Sequence, residues 1–573
     1  MKLTKRISAL LLALLTLASL GCAAFAAEPE GELGARLDAF IAEHEDTTAG
    51  LAAAVFGKDD VEYIKYAGYA DIEGGVPVDE ETVFEWGSVT KLLVWVSAMQ
   101  LVERGELDLE ADVRTYLPEG FLRNLKFNGS VTMQNLMNHN AGFQELGVDI
   151  ILPGEGRIKS LEEALRAYEP EQVYAPGTVV AYSNWGVALA GYIVERISGM
   201  SFADYVHKNI FQPLGMARTA LMPDLSDNDW VREKRAELKC YGDDVKPLGK
   251  KIQRIWLYPC GMCTGTFVDF MSFARALLAE DSPLFSSPET RALMFSPSLE
   301  YGDGTARNCH GFWVEYFGVP TLGHGGNTLG CSSYLLLDLE NGRGAVVMTN
   351  QRSETVYNCD MMEEIFGTYS YDGPLPQGIY RSARVILRGP MKLNSLSYTG
   401  FEEAERDEYS KMYLRPDGVM SMPYGDYLPV SVPQFALEVG MALLLALAVA
   451  FSVVYLLARL VIAIVRRIKK KGAPAADAGR PLRTAAAATQ TFLGVMVVSL
   501  WFLVFAVRSN WYMWVFYLAA VLVPVLPVLA WRLFKKDAGG RKGIRALNVI
   551  SAVFLITTAA NIVFWQMYRF WAF

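Results

Sequence analysis

The chain has 573 residues and a formal net charge of −9, and 52% of its residues are hydrophobic. A chain of this length is expected to hold more than one domain. The acidic balance argues against nucleic acid as a partner, because nucleic-acid-binding surfaces are basic.

The first 26 residues have the features of a secretory signal peptide. A basic start is followed by an apolar run over 7–20, and small residues flank Phe25 before a predicted cleavage near Ala26. Two alternatives stay open: a lipoprotein site at Cys22, for which Ser19 is a poor fit, and an uncleaved anchor. The domain that follows is predicted to be exported.

Residues 33–369 are predicted to form one mixed α/β domain with strands at both ends. Apolar runs at 51–56 and 61–69 flank a polar turn and predict a hairpin, and runs at 333–339 and 345–349 flank an Asn-Gly pair, another hairpin signal. Helical patterns lie between them, at 88–104, 133–139, 160–167, 185–197, 202–210 and 269–278. We therefore expect one antiparallel sheet closed by the two ends of the domain, with a helical region inserted.

Ser88 and Lys91 stand three residues apart at the start of the apolar run 92–102. If Ser88 opens a helix, Lys91 lies one turn further along the same face, and its amine can reach the serine hydroxyl. Burial of such a helix lowers the pKa of a lysine, which would place a base beside a nucleophile. The alternative is a helix-capping serine followed by a solvated lysine.

Tyr182 and Asn184 precede another predicted helix. A tyrosine can act as a general base when a nearby cation stabilises its phenolate. An asparagine amide offers both a donor and an acceptor to a substrate amide. Taken alone, these residues are equally consistent with a turn before a helix.

His324 is followed by Gly325, Gly326 and Asn327, just before the last predicted hairpin. The glycines let a substrate backbone lie close to a strand edge. The N–H of Asn327 could then form an oxyanion hole with that of Ser88. A lone histidine can also be a structural hydrogen-bonding group, and this is the interpretation given to a second histidine, His139.

Six cysteines follow the signal peptide, at positions 240, 260, 263, 309, 331 and 359. Cys260 and Cys263 form a Cys-x-x-Cys pair, but no second pair stands at zinc spacing and the context is not thioredoxin-like. We expect a local disulfide or two free thiols there, and neither a metal site nor a cofactor.

Residues 371–432 are rich in Tyr, Pro, Gly and charge and are predicted to form a small β accessory segment. Residues 435–573 are predicted to hold four transmembrane helices, at 439–458, 484–507, 509–531 and 546–568. These stretches contain no charged side chain, which favours an anchor over a transporter.

The orientation of these helices follows from the loops between them. Residues 466–483 hold seven Lys or Arg and residues 532–545 hold six. Basic loops stay in the cytoplasm, so the first helix is predicted to run from outside to inside. This agrees with an exported domain before it.

The order Ser-x-x-Lys, Tyr-x-Asn, His-Gly-Gly resembles that of the class C β-lactamases and penicillin-binding-protein-like serine hydrolases. The likeness covers roughly residues 34–368 and includes the stretches 134–142, 176–178, 213–216 and 323–350. It implies a β-lactamase/transpeptidase-like fold, an antiparallel sheet flanked by helices.

The resemblance also implies roles for the residues of the three motifs. Ser88 would be the acylated nucleophile, Lys91 would assist its deprotonation, and Tyr182 would be the base that shuttles the proton and activates water. Asn184 would bind an amide of the substrate. The N–H groups of Ser88 and Asn327 would hold the oxyanion.

His324 departs from the family pattern, because class C enzymes carry a carboxylate-binding lysine there and a histidine is largely neutral near pH 7. Relatives with histidine at this position include D-aminopeptidases and D-amino-acid esterases. We therefore expect a serine hydrolase of the bacterial cell membrane, multi-pass and with its catalytic domain outside, that acts on D-alanyl amides or esters of the envelope. Its expected partners are that substrate and the lipid bilayer.

Two alternative functions stay open. One is a β-lactamase or D,D-carboxypeptidase. The other is a membrane-linked ligand sensor without turnover. A Ser-His-Asp esterase is disfavoured, because the sequence lacks a Gly-x-Ser-x-Gly elbow.

Overall fold

The structure is a computed structural model of the chain that describes residues 31–145, 159–249, 254–371, 373–384, 411–470, 477, 479–503, 513–536 and 541–568. The chain separates into two units, Met1–Asp46 and Thr47–Phe573. In the first unit, helix α1 (Glu32–Glu43) buries three apolar side chains at helical spacing. The predicted signal peptide lies outside the described residues.

The second unit contains all the described strands. In chain order they are β1 Gly50–Gly57, β2 Val61–Asp71, β3 Val76–Pro77, β4 Val83–Glu85, β5 Thr219–Ala220, β6 Cys240–Tyr241, β7 Pro247–Gly249, β8 Thr264–Thr266, β9 Leu299–Glu300, β10 Ala306–Cys309, β11 Phe312–Tyr316, β12 Pro320–Asn327, β13 Ser332–Asp338, β14 Arg343–Thr349, β15 Ile379–Ser382, β16 Tyr413–Leu414, β17 Met420–Met422 and β18 Gly425–Val430.

The helices that accompany these strands lie mostly between β4 and β9. They are α2 Lys91–Glu103, α3 Met133–Met137, α4 Leu161–Ala167, α5 Asn184–Ser198, α6 Phe202–Val206, α7 Asp229–Arg235, α8 Phe267–Leu278, α9 Pro288–Met294, α10 Met361–Phe366, α11 Val432–Ile468, α12 Arg480–Leu503, α13 Met513–Phe534 and α14 Lys542–Phe564.

A nine-stranded sheet forms the centre of this unit, in the order β3-β2-β1-β14-β13-β12-β11-β10-β9. Its pairs are antiparallel, and β1 joins β14 with Ala53 opposite Val347. The two ends of the domain therefore close one sheet, as predicted. Strand β1 is buried along nearly its whole length, which fits its run of apolar residues and its central position.

The two predicted hairpins are present as β1–β2 and β13–β14. Between β13 and β14 the chain turns through Gly342, whose φ of +68° is a conformation that glycine adopts without strain. The predicted antiparallel sheet flanked by helices is confirmed, and its register places β12, which carries His324, next to β13.

Helix α2 crosses the hydrophobic core and is buried on almost every side, as its predominantly apolar sequence predicts. The α-helix does not begin at Ser88. A short 3₁₀ turn, Gly87–Thr90, comes first, and the α-helix begins at Lys91. The predicted helix at 202–210 is likewise divided into α6 and a π-helical turn, His207–Phe211.

A four-stranded sheet in the order β15-β18-β17-β16 follows the main domain. We call residues 379–430 the accessory sheet segment; its residues 385–410 lie outside the described part of the chain. Gly425 forms a β-bridge with Ala181 of the main domain, so this segment contacts the chain one residue before Tyr182.

Three of the described helices are long and apolar enough to cross a membrane, over Val432–Ile468, Tyr517–Phe534 and Lys542–Phe564. They correspond to the first, third and fourth predicted spans. The second predicted span falls on α12, which is not among the three, and its last residues, 504–507, lie outside the described residues.

Candidate active site

Ser88 lies in the 3₁₀ turn that precedes α2. Its neighbours Gly87, Val89 and Thr90 are buried, whereas Ser88 itself is partly exposed. Gly87 has φ +53°, and a Cβ at this position would lie 2.6 Å from the backbone nitrogen of Asn327. Glycine is required here both for the backbone angle and for the close approach of β12.

Lys91 is fully buried and donates a hydrogen bond from Nζ to Ser88 Oγ at 2.8 Å. The same amine donates to the carbonyl oxygen of Cys260. Burial is the main cause that lowers the pKa of Lys91 to about 8. The amine therefore exchanges its proton close to neutral pH while it contacts the serine.

Tyr182 reaches Ser88 from the other side. Its Oη lies 2.8 Å from Ser88 Oγ, and its ring centroid is 4.9 Å from Lys91 Nζ. Burial raises the pKa of the Tyr182 phenol, and the hydrogen bond with Ser88 opposes that shift only in part. Tyr182 is therefore protonated in the resting site, and Lys91 is the group that can accept a proton first.

Asn184 begins helix α5, whose N-terminus is capped by Ser183. Its side-chain amide donates to Glu145 Oε1 at 3.0 Å, and its backbone N–H donates to Glu145 Oε2 at 2.8 Å. Part of the donor capacity expected for a substrate amide is thus used by a buried carboxylate.

His324 occupies the middle of β12 and is fully buried. Its ring stacks on Trp313 with centroids 3.8 Å apart, and its Nδ1 is hydrogen-bonded to the carbonyl oxygen of Gly325. Burial, with a smaller effect of Lys91, lowers the pKa of His324 to about 3. The imidazole is therefore neutral at physiological pH and adds no positive charge to the site.

The glycines after His324 let β12 pack against the serine turn. A Cβ at Gly326 would lie 2.1 Å from the Trp86 carbonyl oxygen and 3.1 Å from Ser88 N, and one at Gly325 would meet the Tyr334 ring at 3.1 Å. The backbone nitrogen of Ser88, in the serine turn, and that of Asn327, in β12, therefore both lie where the turn and the strand meet. Two neighbouring N–H groups are what an oxyanion hole requires.

His139 packs its ring 4.5 Å from the Tyr182 ring. Its Nδ1 accepts a hydrogen bond from the backbone N–H of Ser183 at 3.3 Å, and its carbonyl accepts one from Ala181. Burial holds the pKa of His139 well below its ordinary value. These contacts hold the segment that carries Tyr182, in keeping with the structural interpretation of this histidine.

Two charged residues of the site were not singled out from the sequence. Glu145 is fixed by Asn184, and Arg384 lies with its Cζ 4.7 Å from the centroid of the Tyr182 ring. Arg384 Nε is 3.9 Å from Glu145 Oε2. No spacing rule links positions 145, 182 and 384, so only the fold reveals that they are neighbours.

The described cysteines are free thiols, and Cys260 and Cys263 are both buried. Of the two interpretations left open for this pair, the structure shows free thiols. Burial raises the pKa of the Cys260 thiol to about 11, so the thiol stays protonated. Within the described ranges no group of three or more His, Cys, Asp or Glu side chains could hold a metal ion.

Comparisons with known proteins identify related chains. A family model described as Beta-lactamase matches residues 37–368, more than half of the chain. "Penicillin-binding protein 4" of Amycolatopsis lactamdurans is 29% identical over 347 residues, 58% of this chain and 88% of that protein.

Two further relatives match over shorter segments. "Beta-lactamase" of Escherichia coli (strain K12) is 34% identical over 193 residues, which cover 34% of this chain and 46% of that protein. "Esterase EstB" of Burkholderia gladioli is 35% identical over 224 residues, which cover 35% of this chain and 55% of that protein. The chain thus spans about half the length of these two relatives.

Proposed function

The chain belongs to the Beta-lactamase family of serine hydrolases, and we propose that it is an exported, membrane-anchored member that hydrolyses D-alanyl amides or esters of the bacterial cell envelope through an acyl-enzyme on Ser88. The observation that carries this proposal is the position of Ser88 Oγ, 2.8 Å from both Lys91 Nζ and Tyr182 Oη. The hydroxyl is held between an amine that can accept a proton and a phenol that can donate one.

Acylation begins when neutral Lys91 takes the Ser88 proton and Oγ bonds to the substrate carbonyl carbon. Negative charge develops on the carbonyl oxygen beside the N–H groups of Ser88 and Asn327. As the C–N or C–O bond breaks, Tyr182 gives its phenol proton to the leaving group and recovers a proton from Lys91. The acyl group remains on Ser88, and both helper residues return to their starting states.

Deacylation uses the same groups with water as the nucleophile. Tyr182 accepts the proton of the attacking water and passes its own phenol proton to neutral Lys91, and the water oxygen bonds to the acyl carbon. The bond between Ser88 Oγ and the acyl carbon then breaks, and Oγ takes its proton back from protonated Lys91. The family resemblance implies that Lys91 assists deprotonation of Ser88 and that Tyr182 is the base that shuttles the proton and activates water. The lower pKa of Lys91 supports Lys91 as the first proton acceptor and Tyr182 as the shuttle.

The substrate class and the cellular location are supported by separate observations. The neutral His324 lacks the charge of the lysine found in class C enzymes, and the relatives' names include both a penicillin-binding protein and an esterase. Three helices apolar enough to span a bilayer and the apolar run at 7–20 support membrane anchoring and export.

The test is turnover by the purified full chain of D-alanyl esters, their L-alanyl counterparts and a chromogenic cephalosporin. We expect the D-alanyl esters to be hydrolysed faster than the other compounds. Ser88→Ala should lower kcat/KM by roughly 10³-fold or more. Undiminished turnover by Ser88→Ala would contradict the proposal, and a cephalosporin hydrolysed faster than every D-alanyl compound would favour a β-lactamase.

The second candidate, a β-lactamase or D,D-carboxypeptidase, is favoured by one observation. Both kinds of enzyme act on substrates with a free carboxylate, and the guanidinium of Arg384 brings a positive charge to the face of Tyr182.

A further inference from the structure

Arg384 belongs to the accessory sheet segment, outside the residues matched by the family model, yet its guanidinium lies against the ring of Tyr182 in the main domain. The guanidinium stands 4.7 Å from the centroid of Tyr182, the ring whose hydroxyl contacts Ser88 Oγ. The position at which the family resemblance expects a carboxylate-binding lysine is held by the neutral His324.

We propose that Arg384 binds a carboxylate of the substrate, so that the preferred substrates are D-alanyl compounds that carry a free carboxylate. This inference rests on the proposed acyl-enzyme function and adds to it the charge of the substrate. It also assigns a binding role to a residue that the accessory sheet segment supplies.

The hydrogen-bonding state of Arg384 supports a ligand-binding role over a purely structural one. Its contact with Glu145 Oε2, at 3.9 Å, is longer than a hydrogen bond, and both oxygens of Glu145 already accept from Asn184. Arg384 Nε is buried and has no hydrogen-bond partner among the described residues. The side chain as a whole is 36% exposed, so a ligand can reach it from solvent.

A guanidinium suits a carboxylate because its planar N–H groups match the two carboxylate oxygens. The buried Nε–H of Arg384 lacks the acceptor that it would have in water, which favours binding of an anion that supplies one. The charge already acts on the reacting groups: Arg384 contributes to the lowering of the pKa of Lys91 and opposes the rise in the pKa of Tyr182.

The backbone around Arg384 is held in place from two directions. The carbonyl of Ala383 accepts a hydrogen bond from Tyr174 Oη at 3.1 Å, and its N–H donates to the carbonyl of Asp426 at 2.8 Å. Arg381, three residues earlier, forms an ion pair with Glu438 at 2.7 Å. A side chain on such an anchored strand end can recognise an anion with defined geometry.

Two matched pairs of thioesters test the proposal with the full chain. The first pair is N-acetyl-D-alanyl thioglycolate and its carboxamide, which differ only by a carboxylate on the leaving group. The second is N-succinyl-D-alanine ethyl thioester and its succinamoyl counterpart, which differ by a carboxylate on the acyl side. The readout is the ratio of kcat/KM for the anionic and the neutral member, measured by thiol release.

For the wild type we expect the ratio to favour the anionic member of at least one pair by about 10- to 100-fold, the effect of a charge-assisted hydrogen bond. Arg384→Ala should bring that ratio close to one, and Arg384→Lys should retain part of it. The matched control is Arg415→Ala, which removes another arginine of the accessory sheet segment and should leave the ratio unchanged.

A ratio within each variant is insensitive to the fraction of folded protein, so unfolding cannot imitate the expected result. The inference is wrong if the ratios of both pairs in Arg384→Ala stay at the wild-type values. It is also wrong if both members of each pair slow equally while the pH profile shifts, because that result would limit the role of Arg384 to its effect on Tyr182. Failure of the proposed function is a different outcome, in which the wild type releases thiol from none of the four compounds.

Discussion

Lys91 owes its proton exchange near neutral pH to burial. Removal of the amine from water is the largest effect on its pKa; the Cys260 side chain and Glu145 raise the pKa, and Arg384 lowers it. The amine also donates a hydrogen bond to the Cys260 carbonyl. The Cys-x-x-Cys pair thus contributes a backbone acceptor to the site. The partner of Lys91 one turn away could be predicted from the sequence, whereas the carbonyl at position 260 could not.

The pH dependence of acylation follows from this pKa. Lys91 must be neutral to accept the Ser88 proton, and the neutral fraction increases as pH rises through about 8. We expect kcat/KM for a D-alanyl thioester to rise about tenfold per pH unit below that value and to level off above it. A flat profile, or one that falls through the same range, would mean that the charged amine is the active form.

Gly326 should be indispensable because of the backbone that it touches. In Gly326→Ala the added Cβ would lie 2.1 Å from the Trp86 carbonyl oxygen and push β12 away from the serine turn. We expect the free energy of unfolding, measured with urea, to fall by about 1–3 kcal/mol, with a large loss of turnover. Gly129→Ala is the control, since its Cβ would lie 3.5 Å from the nearest atom of Pro176, an ordinary contact. Wild-type turnover by Gly326→Ala would contradict this expectation.

Among the secondary-structure elements, local sequence patterns were sufficient to predict those whose partners are close in sequence and those whose residues are mostly apolar. The two hairpins and the buried helix α2 fall into this group. The 3₁₀ turn before α2 could not be predicted, because it depends on packing between Gly87 and Gly326 of β12, which lie 239 residues apart in the sequence. Glu145 and Arg384 escaped prediction for the same reason: their contacts are set by the fold.

The residues just before Tyr182 are held by the accessory sheet segment. Asp426, only 1% exposed, accepts a hydrogen bond from Val180 N at 3.0 Å and forms an ion pair with Arg307 at 2.8 Å. Its own N–H donates to the Val180 carbonyl. The geometry of the phenol is therefore supported by residues beyond the region matched by the family model.

Asp426→Ala should accordingly affect both stability and catalysis. Removal of one partner of a buried ion pair leaves Arg307 uncompensated, and we expect the free energy of unfolding to fall by about 3–5 kcal/mol. Asp417→Ala, which breaks an exposed pair with Arg415, should cost about 0–1 kcal/mol. Equal unfolding midpoints for the two variants in a urea titration would contradict this account of the segment.

At the scale of the whole molecule, the division into a signal peptide, a hydrolase domain, an accessory segment and a membrane region stays a prediction. The ion pair between Arg381 and Glu438 joins the accessory sheet segment to the first residues of α11. Composition was sufficient to locate the three described helices that are long and apolar enough to cross a membrane, because length and hydropathy are local properties. Their orientation rests on the basic loops alone.

Labelling of introduced cysteines in intact cells tests that orientation. In a Cys359→Ser background, which removes the exposed native thiol, Lys58→Cys should react with a membrane-impermeant maleimide. Lys470→Cys, in the basic loop after α11, should react only after the cells are opened. The opposite pattern would place the catalytic domain in the cytoplasm.

The central claim is that Ser88 is the nucleophile, and the most direct measurement is the intact mass of the full chain after reaction with a fluorophosphonate, with the adduct located by peptide mapping. We expect one adduct per chain, on Ser88, which is lost in Ser88→Ala. It should be retained in the control Ser97→Ala, because the Ser97 hydroxyl is buried and donates a hydrogen bond to the Leu93 carbonyl. An adduct that survives Ser88→Ala, or that maps to another residue, would contradict it.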